Sequence, residues 1–151
     1  VLGVQRYHLV ASPAYLIKHG TPEKPSDLTR HHCLVYSGYS GQNRWLFKSN
    51  ATTWLHQAVT PTLVSNNAES LLISALNDSG LVLFPNWLIG NHLNNGTLVS
   101  LLNDYQPTIK TGPQNITAIY PNARRPPLNV RVLIDYFIDV YGTPAYWEYQ
   151  T

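Results

Sequence analysis

With 151 residues, 44% of them apolar and 12% charged, the chain can bury a real core as one domain or as a large piece of a two-lobed one. Its formal charge of +2 comes from ten Lys and Arg spread thinly, with no basic cluster beyond Arg124 and Arg125. That excludes the dense basic face with which proteins hold nucleic acid by counterion release. Apolar runs such as 81–84 and 132–134 fall far short of the roughly 20 residues that a membrane span needs, so no membrane role is expected. The chain opens on Val1 and contains no Met, so its true N-terminus is expected upstream, and the lack of an export leader carries little weight. Cys33 has no second cysteine to pair with and sits in an apolar run, which reads as a buried structural thiol in a reducing, cytoplasmic setting.

In chain order, Tyr7-His8-Leu9-Val10-Ala11 reads as a buried strand. Ser12-Pro13 supplies an N-cap and a first-turn proline for a short helix over 14–19 that ends at Gly20. Pro22 and Pro25 punctuate a loop, Ser26-Asp27-Leu28 opens a turn of helix, and 33–36 is a second strand. The polar run Ser37-Gly38-Tyr39-Ser40-Gly41 is a flexible loop, and loose alternation over 44–47 and 53–59 predicts a hairpin. Another strand, 62–65, leads into the clearest helix, where Ala68, Leu71, Leu72, Ala75 and Leu76 follow helical spacing and Asn66 with Glu69 has capping-box spacing. The wholly apolar 81–84 follows, so 62–84 reads as a βαβ unit with parallel strands covered on both faces.

Beyond it, Pro85 starts a short helix, Asn94-Asn95-Gly96 turns, and 97–102 is extended. Residues 103–114, with two prolines and a glycine, form a connecting loop, and 115–120 alternates as a strand. A last helix carries Val130, Leu133, Ile134, Phe137, Ile138 and Tyr141 on one stripe, and the tail 143–151 has no pattern. Such a stripe demands a cover, either by folding back on its own lobe or by packing against a second copy.

The string Leu9-Val10-Ala11-Ser12-Pro13-Ala14-Tyr15-Leu16, followed by His19-Gly20-Thr21-Pro22, Asp27-Leu28 and His32-Cys33-Leu34, resembles the second lobe of the effector domain of LysR-type transcriptional regulators. The match continues in order through Trp45-Leu46-Phe47, 67–76, 80–85, Gly96-Thr97-Leu98-Val99, Ile119-Tyr120-Pro121 and 130–137. The resemblance implies an α/β fold of the type II periplasmic-binding-protein kind, a parallel-rich sheet flanked by helices, with a small effector held between two lobes. Residues 1–102 would be the second lobe, 103–114 a connecting loop, 115–142 the strand and helix returning to the first lobe, and 143–151 a tail. The winged helix-turn-helix, the linker helix and the opening of the first lobe have no counterpart in this chain. DNA contact would therefore be made only by the parent regulator, expected as a homo-oligomer.

In open α/β sheets ligands lie beyond the carboxyl ends of the parallel strands, where helix N-termini offer free N–H groups and partial positive charge. Three such ends are visible: Ser12, the loop Ser37-Gly38-Tyr39-Ser40, and Ser65-Asn66-Asn67. They supply hydroxyls, amides and backbone donors without a strong acid or base, which suits a small polar or carboxylate-bearing effector. Each has a plainer reading. Ser12 caps a helix, the loop is an ordinary surface loop, and Asn66 is a cap, which leaves Asn67 as the spare amide.

The six histidines lack metal-ligand spacing, His31 and His32 being expected on opposite faces of a strand. No serine occupies a nucleophile elbow, Cys33 lacks a patterned His, and Gly38 to Gly41 lacks the lysine of a phosphate loop, so neither catalysis nor a cofactor is expected. Trp45, Trp54 and Trp87 are assigned to the core. The competing reading is a lobe of an exported solute-binding protein on the same fold, and an enzyme on that scaffold would need a reactive side chain at a strand end.

Overall fold

A computed structural model describes residues 1–38, 44–50, 52–121 and 126–148. Its centre is a sheet of five strands: β2 (Tyr7–Ala11), β3 (Cys33–Tyr36), β6 (Pro61–Ser65), β7 (Val82–Pro85) and β8 (Val99–Leu101). β3 and β6 run parallel, while β2 lies antiparallel between β7 and β8. Backbone hydrogen bonds from Leu34 N–H to the Leu81 carbonyl and from Leu81 N–H to the His32 carbonyl join the two parts in parallel. The spatial order is therefore β6-β3-β7-β2-β8.

Period-two alternation divides each central strand between two cores. Leu9, Ala11, Cys33, Val35, Leu81 and Leu83 face one side, packed against Trp45 and Phe47. Val10, Leu34, Val82 and Phe84 face the other, packed against Leu71, Leu72, Ala75, Ile89 and Leu93 of α2 (Ala68–Leu76) and α3 (Asn86–Asn94). The double cover expected for the strands of 62–84 thus holds for β7, and β2 and β3 share it. It fails for β6, where Leu63 and Val64 are 40% and 51% exposed, because the crossover through α2 passes over β3 and leaves β6 on the sheet edge.

Trp45 and Phe47 come from β4 (Arg44–Lys48), which forms the expected hairpin with β5 (Leu55–Ala58). β4 also pairs with β9 (Gln106–Thr108), so the stretch read as a connecting loop contains a strand. Pro107 hid it, and a proline is tolerated there because β9 is an edge strand. α1 (Pro13–His19) is capped as expected, with Tyr15 N–H donating to Ser12 Oγ at 3.2 Å. The short 3₁₀ turn Pro25–Arg30 follows.

Two short strands, β1 (Gly3–Val4) and β10 (Asn115–Ile116), pair antiparallel. The strand expected over 115–120 is limited to its first two residues, because β1 offers only a two-residue partner. α4 (Leu128–Tyr141) forms as expected but buries no residue completely. Val130, Ile134, Phe137 and Tyr141 of the stripe are half-buried while Leu133 and Ile138 stay 53% and 44% exposed, so the stripe is covered only in part within this chain. Residues 143–148 of the tail pack in a way its sequence did not show. Trp147 is buried against Gly3 and beside Gly90, both positions where a Cβ would collide with it, and its ring meets Tyr141 edge-on at 4.8 Å.

Candidate functional site

The carboxyl ends of β3, β6 and β7 lie at one edge of the sheet, since Tyr36 is level with Ser65 and Ser37 N–H donates to the Ser65 carbonyl at 2.9 Å. Tyr7, the first residue of antiparallel β2, stands opposite Pro85 at the same edge. Here a cavity of about 230 Å³ opens between the sheet, β4 and the N-terminal turns of α2 and α3. Leu34, Trp45, Phe84 and Leu88 supply apolar wall, and Tyr7, Tyr36, Arg44 and Trp87 bring polar groups. No carboxylate lines it among the described residues, and Arg44 forms no ion pair with any of them. With two helix N-termini adding partial positive charge, the cavity favours an anion over a cation.

The sequence candidates divide between the two ends of the sheet. Ser37, Gly38, Asn66 and Asn67 are exposed; none of them lines the cavity, although in the chain they adjoin the lining residues Tyr36 and Ala68. Tyr39 and Ser40, like Gly41, lie outside the described residues. Gly38 has a visible reason: a Cβ there would overlap the Tyr36 ring, so glycine lets that ring lie against the loop backbone. Asn67, not Asn66, is the cap of α2, accepting from Ser70 N–H at 3.0 Å while its own N–H donates to Ser65 Oγ. This reverses the expected roles and puts Ser70 rather than Glu69 three residues past the cap, so no capping box forms. Asn66 is the amide whose side chain makes no hydrogen bond among the described residues.

Ser12 belongs to the opposite end. β2 runs antiparallel to β7, so its carboxyl end meets the start of the parallel strands, where Ser12 Oγ donates to Asp78 Oδ1 at 2.6 Å. There too His31 and His32 lie outside any strand and share one partner: Tyr15 Oη is 2.9 Å from His31 Nδ1 and accepts from His32 N–H at 3.0 Å. His19 stacks on the Tyr15 ring at 4.4 Å. Burial, with His19 and Arg30 nearby, holds the His31 imidazole below its ordinary pKa. No group of three metal-ligating side chains is arranged to hold a metal among the described residues. Burial pushes the Cys33 thiol up to about 12.

Sequence reasoning missed Arg44 and Trp87. Arg44 looked like one more alternating hairpin residue. Trp87, assigned to the core, is 46% exposed at the cavity, where Nε1–H donates to Gln5 Oε1 at 2.9 Å. Gln5 Nε2 donates onward to Gln114 Oε1 at 3.0 Å, and Gln114 Nε2 to Thr108 Oγ1 at 2.9 Å. One chain of amides thus ties the cavity wall to the residues beside the β1–β10 pair.

The LysR substrate binding domain profile matches residues 1–142. The chain belongs to this family. The HTH-type transcriptional regulator CrgA of Neisseria meningitidis serogroup B is 30% identical over 138 residues, 91% of this chain and 44% of that protein. The solved CrgA regulatory domain superposes with a TM-score of 0.73 at 30% identity, covering 91% of this chain and 66% of that domain. The regulatory domain of AphB in Vibrio vulnificus gives 0.75 at 25% identity, covering 91% and 65%. This LysR substrate-binding chain therefore has the type II periplasmic-binding-like architecture, and its relatives are transcriptional regulators rather than enzymes or exported solute-binding proteins. It spans less than half the length of that curated relative. No helix among the described residues is long and apolar enough to cross a membrane.

Proposed function

We propose that this chain is the second lobe, with the returning strand and helix, of the effector-sensing domain of a LysR-type transcriptional regulator. A small carboxylate-bearing effector binds at the carboxyl ends of β3, β6 and β7, under a first lobe supplied by the parent protein. Ser37, Gly38 and Asn66 meet it from this side together with Tyr39 and Ser40, Asn67 shapes the rim as the α2 cap, and Arg44 receives the anionic group. Occupancy shifts the relative pose of the lobes, and so the geometry of a cytoplasmic homo-oligomer that contacts DNA through its N-terminal helix-turn-helix. The supporting observation is the cavity itself: apolar walls, an Arg44 without a carboxylate partner among the described residues, and two helix N-termini.

Calorimetric titration of the complete two-lobed domain with benzoate and hexanoate, small carboxylates with apolar bodies, tests it. Saturable binding of one of them is expected, weakened about 10-fold or more by Arg44→Gln, since a hydrogen bond to a charged group is worth roughly 1.5–3 kcal/mol. No saturable binding of either probe, or equal binding by the variant, would overturn the assignment.

A further inference from the structure

A second and larger cavity, of about 460 Å³, shares only Tyr7 with the first. It lies where β1 and β10 leave the body of the lobe, walled by β9, the end of β8 and Trp54. Its charged lining side chains are of one sign. Arg6 and Lys110 are exposed, neither forms an ion pair with a described residue, and the described lining contains no Asp or Glu. His8 is a third nitrogen base on the wall, held below its ordinary pKa by burial and by Arg6. The amides of Gln5, Gln114 and Asn103 border the same space.

Two cations facing a shared cavity repel each other, and a bound anion relieves that repulsion while accepting their hydrogen bonds. Neither cation is met by a carboxylate among the described residues, whereas Arg30 is met by Asp27 at 2.9 Å. Here no counter-charge stands among the described lining residues, and the amides of Gln5 and Gln114 are engaged with each other and with Tyr7, Thr108 and Lys110. We propose that this cavity is a second ligand site, for a small dianion bearing carboxylate or phosphate groups, held by Arg6 and Lys110. A ligand there would touch Gln5 and Gln114, the bonded side chains beside the β1–β10 pair that lead, through Trp87, to the first cavity. The site is therefore placed to act on the joint between lobes, a consequence that rests on the reading above, whereas the binding does not.

The test is a nuclear magnetic resonance titration of this chain with succinate, with inorganic phosphate, and with succinamide as the uncharged control. Saturable shifts of the Trp54 indole and of the Gln5 and Gln114 side-chain amides are expected with at least one anion and not with succinamide. The tighter of the two anions identifies the preferred group. The double variant Arg6→Gln, Lys110→Gln should bind at least 10-fold more weakly, while Arg44→Gln, in the first cavity, should bind as wild type. Absence of saturable shifts with both anions, or an unchanged titration in the double variant, would overturn the proposal. Neither result would touch the benzoate and hexanoate experiment, so the two readings fail separately.

Discussion

Replacing Leu133 by Asp separates the chain alone from a complete two-lobed domain. Leu133 is 53% exposed on α4, so about half of its side chain is still in water. Full burial of a leucine is worth roughly 1.5–3 kcal/mol, which leaves about 1 kcal/mol unrealised at Leu133 and a similar amount at Ile138, 44% exposed. A first lobe packed on this stripe would realise that gain and make an Asp there a buried, unpaired charge, costing about 3–5 kcal/mol. In the chain alone the same Asp remains partly hydrated, and the cost falls to about 1 kcal/mol or less, including a few tenths for lower helix propensity. Urea unfolding of both forms, each as wild type and Leu133→Asp, reads the difference directly. A destabilisation at least 2 kcal/mol larger in the complete domain is expected. Equal small costs in both would show that α4 stays uncovered in the parent, and the reasoning would fail. A large, protein-concentration-dependent cost in the chain alone would instead reveal a second copy on the stripe.

Three further outcomes follow from particular contacts. Ser12→Ala removes both the α1 cap and the hydrogen bond to Asp78, and should cost about 2 kcal/mol in thermal or urea unfolding without altering binding in either cavity. The depressed His31 pKa gives stability that is complete above the unfolded value of 6.5 and lost as pH falls through the lower folded value, so His31→Gln should flatten part of the acid-side decline. With its pKa pushed up to about 12 from 9.0, the Cys33 thiol should resist labelling by a disulfide reagent at pH 8 until the protein is unfolded. Its contribution is complete below about pH 9 and lost as pH rises towards 12, so Cys33→Ala should remove that alkaline slope.

The parts of the fold that were legible in the sequence are those where one physical pattern acts alone. The apolar runs of β2, β3 and β7 and the spacing of Ala68, Leu71, Leu72 and Ala75 announce strands buried on both faces and a helix packed on them. Which strand adjoins which is a long-range matter, and the exposed Leu63 and Val64 follow from an edge position that no local pattern shows. The direction of β2 had the largest consequence for the site. Read as one more parallel strand, it put Ser12 beside Ser37, whereas its antiparallel pairing carries Ser12 to the far end beside Asp78. The strand ends at Ser37 and Gly38 after β3 and at Asn66 and Asn67 before α2 were legible because glycine and helix-capping residues mark where strands stop. Arg44 was not, because its importance lies in a missing partner.

The most direct measurement asks which end of the sheet senses the signal, and it works whatever the ligand is. In the intact parent regulator, every position of the chain would be varied and scored for transcription from its target promoter alongside retained DNA binding. Variants that bind DNA but are locked on or off should concentrate at 36–40, 44, 65–67 and 84–88, around the first cavity. Concentration instead around Ser12, His19, His31 and His32, or an even spread over the surface, would contradict the assignment of the effector to the carboxyl ends of β3, β6 and β7.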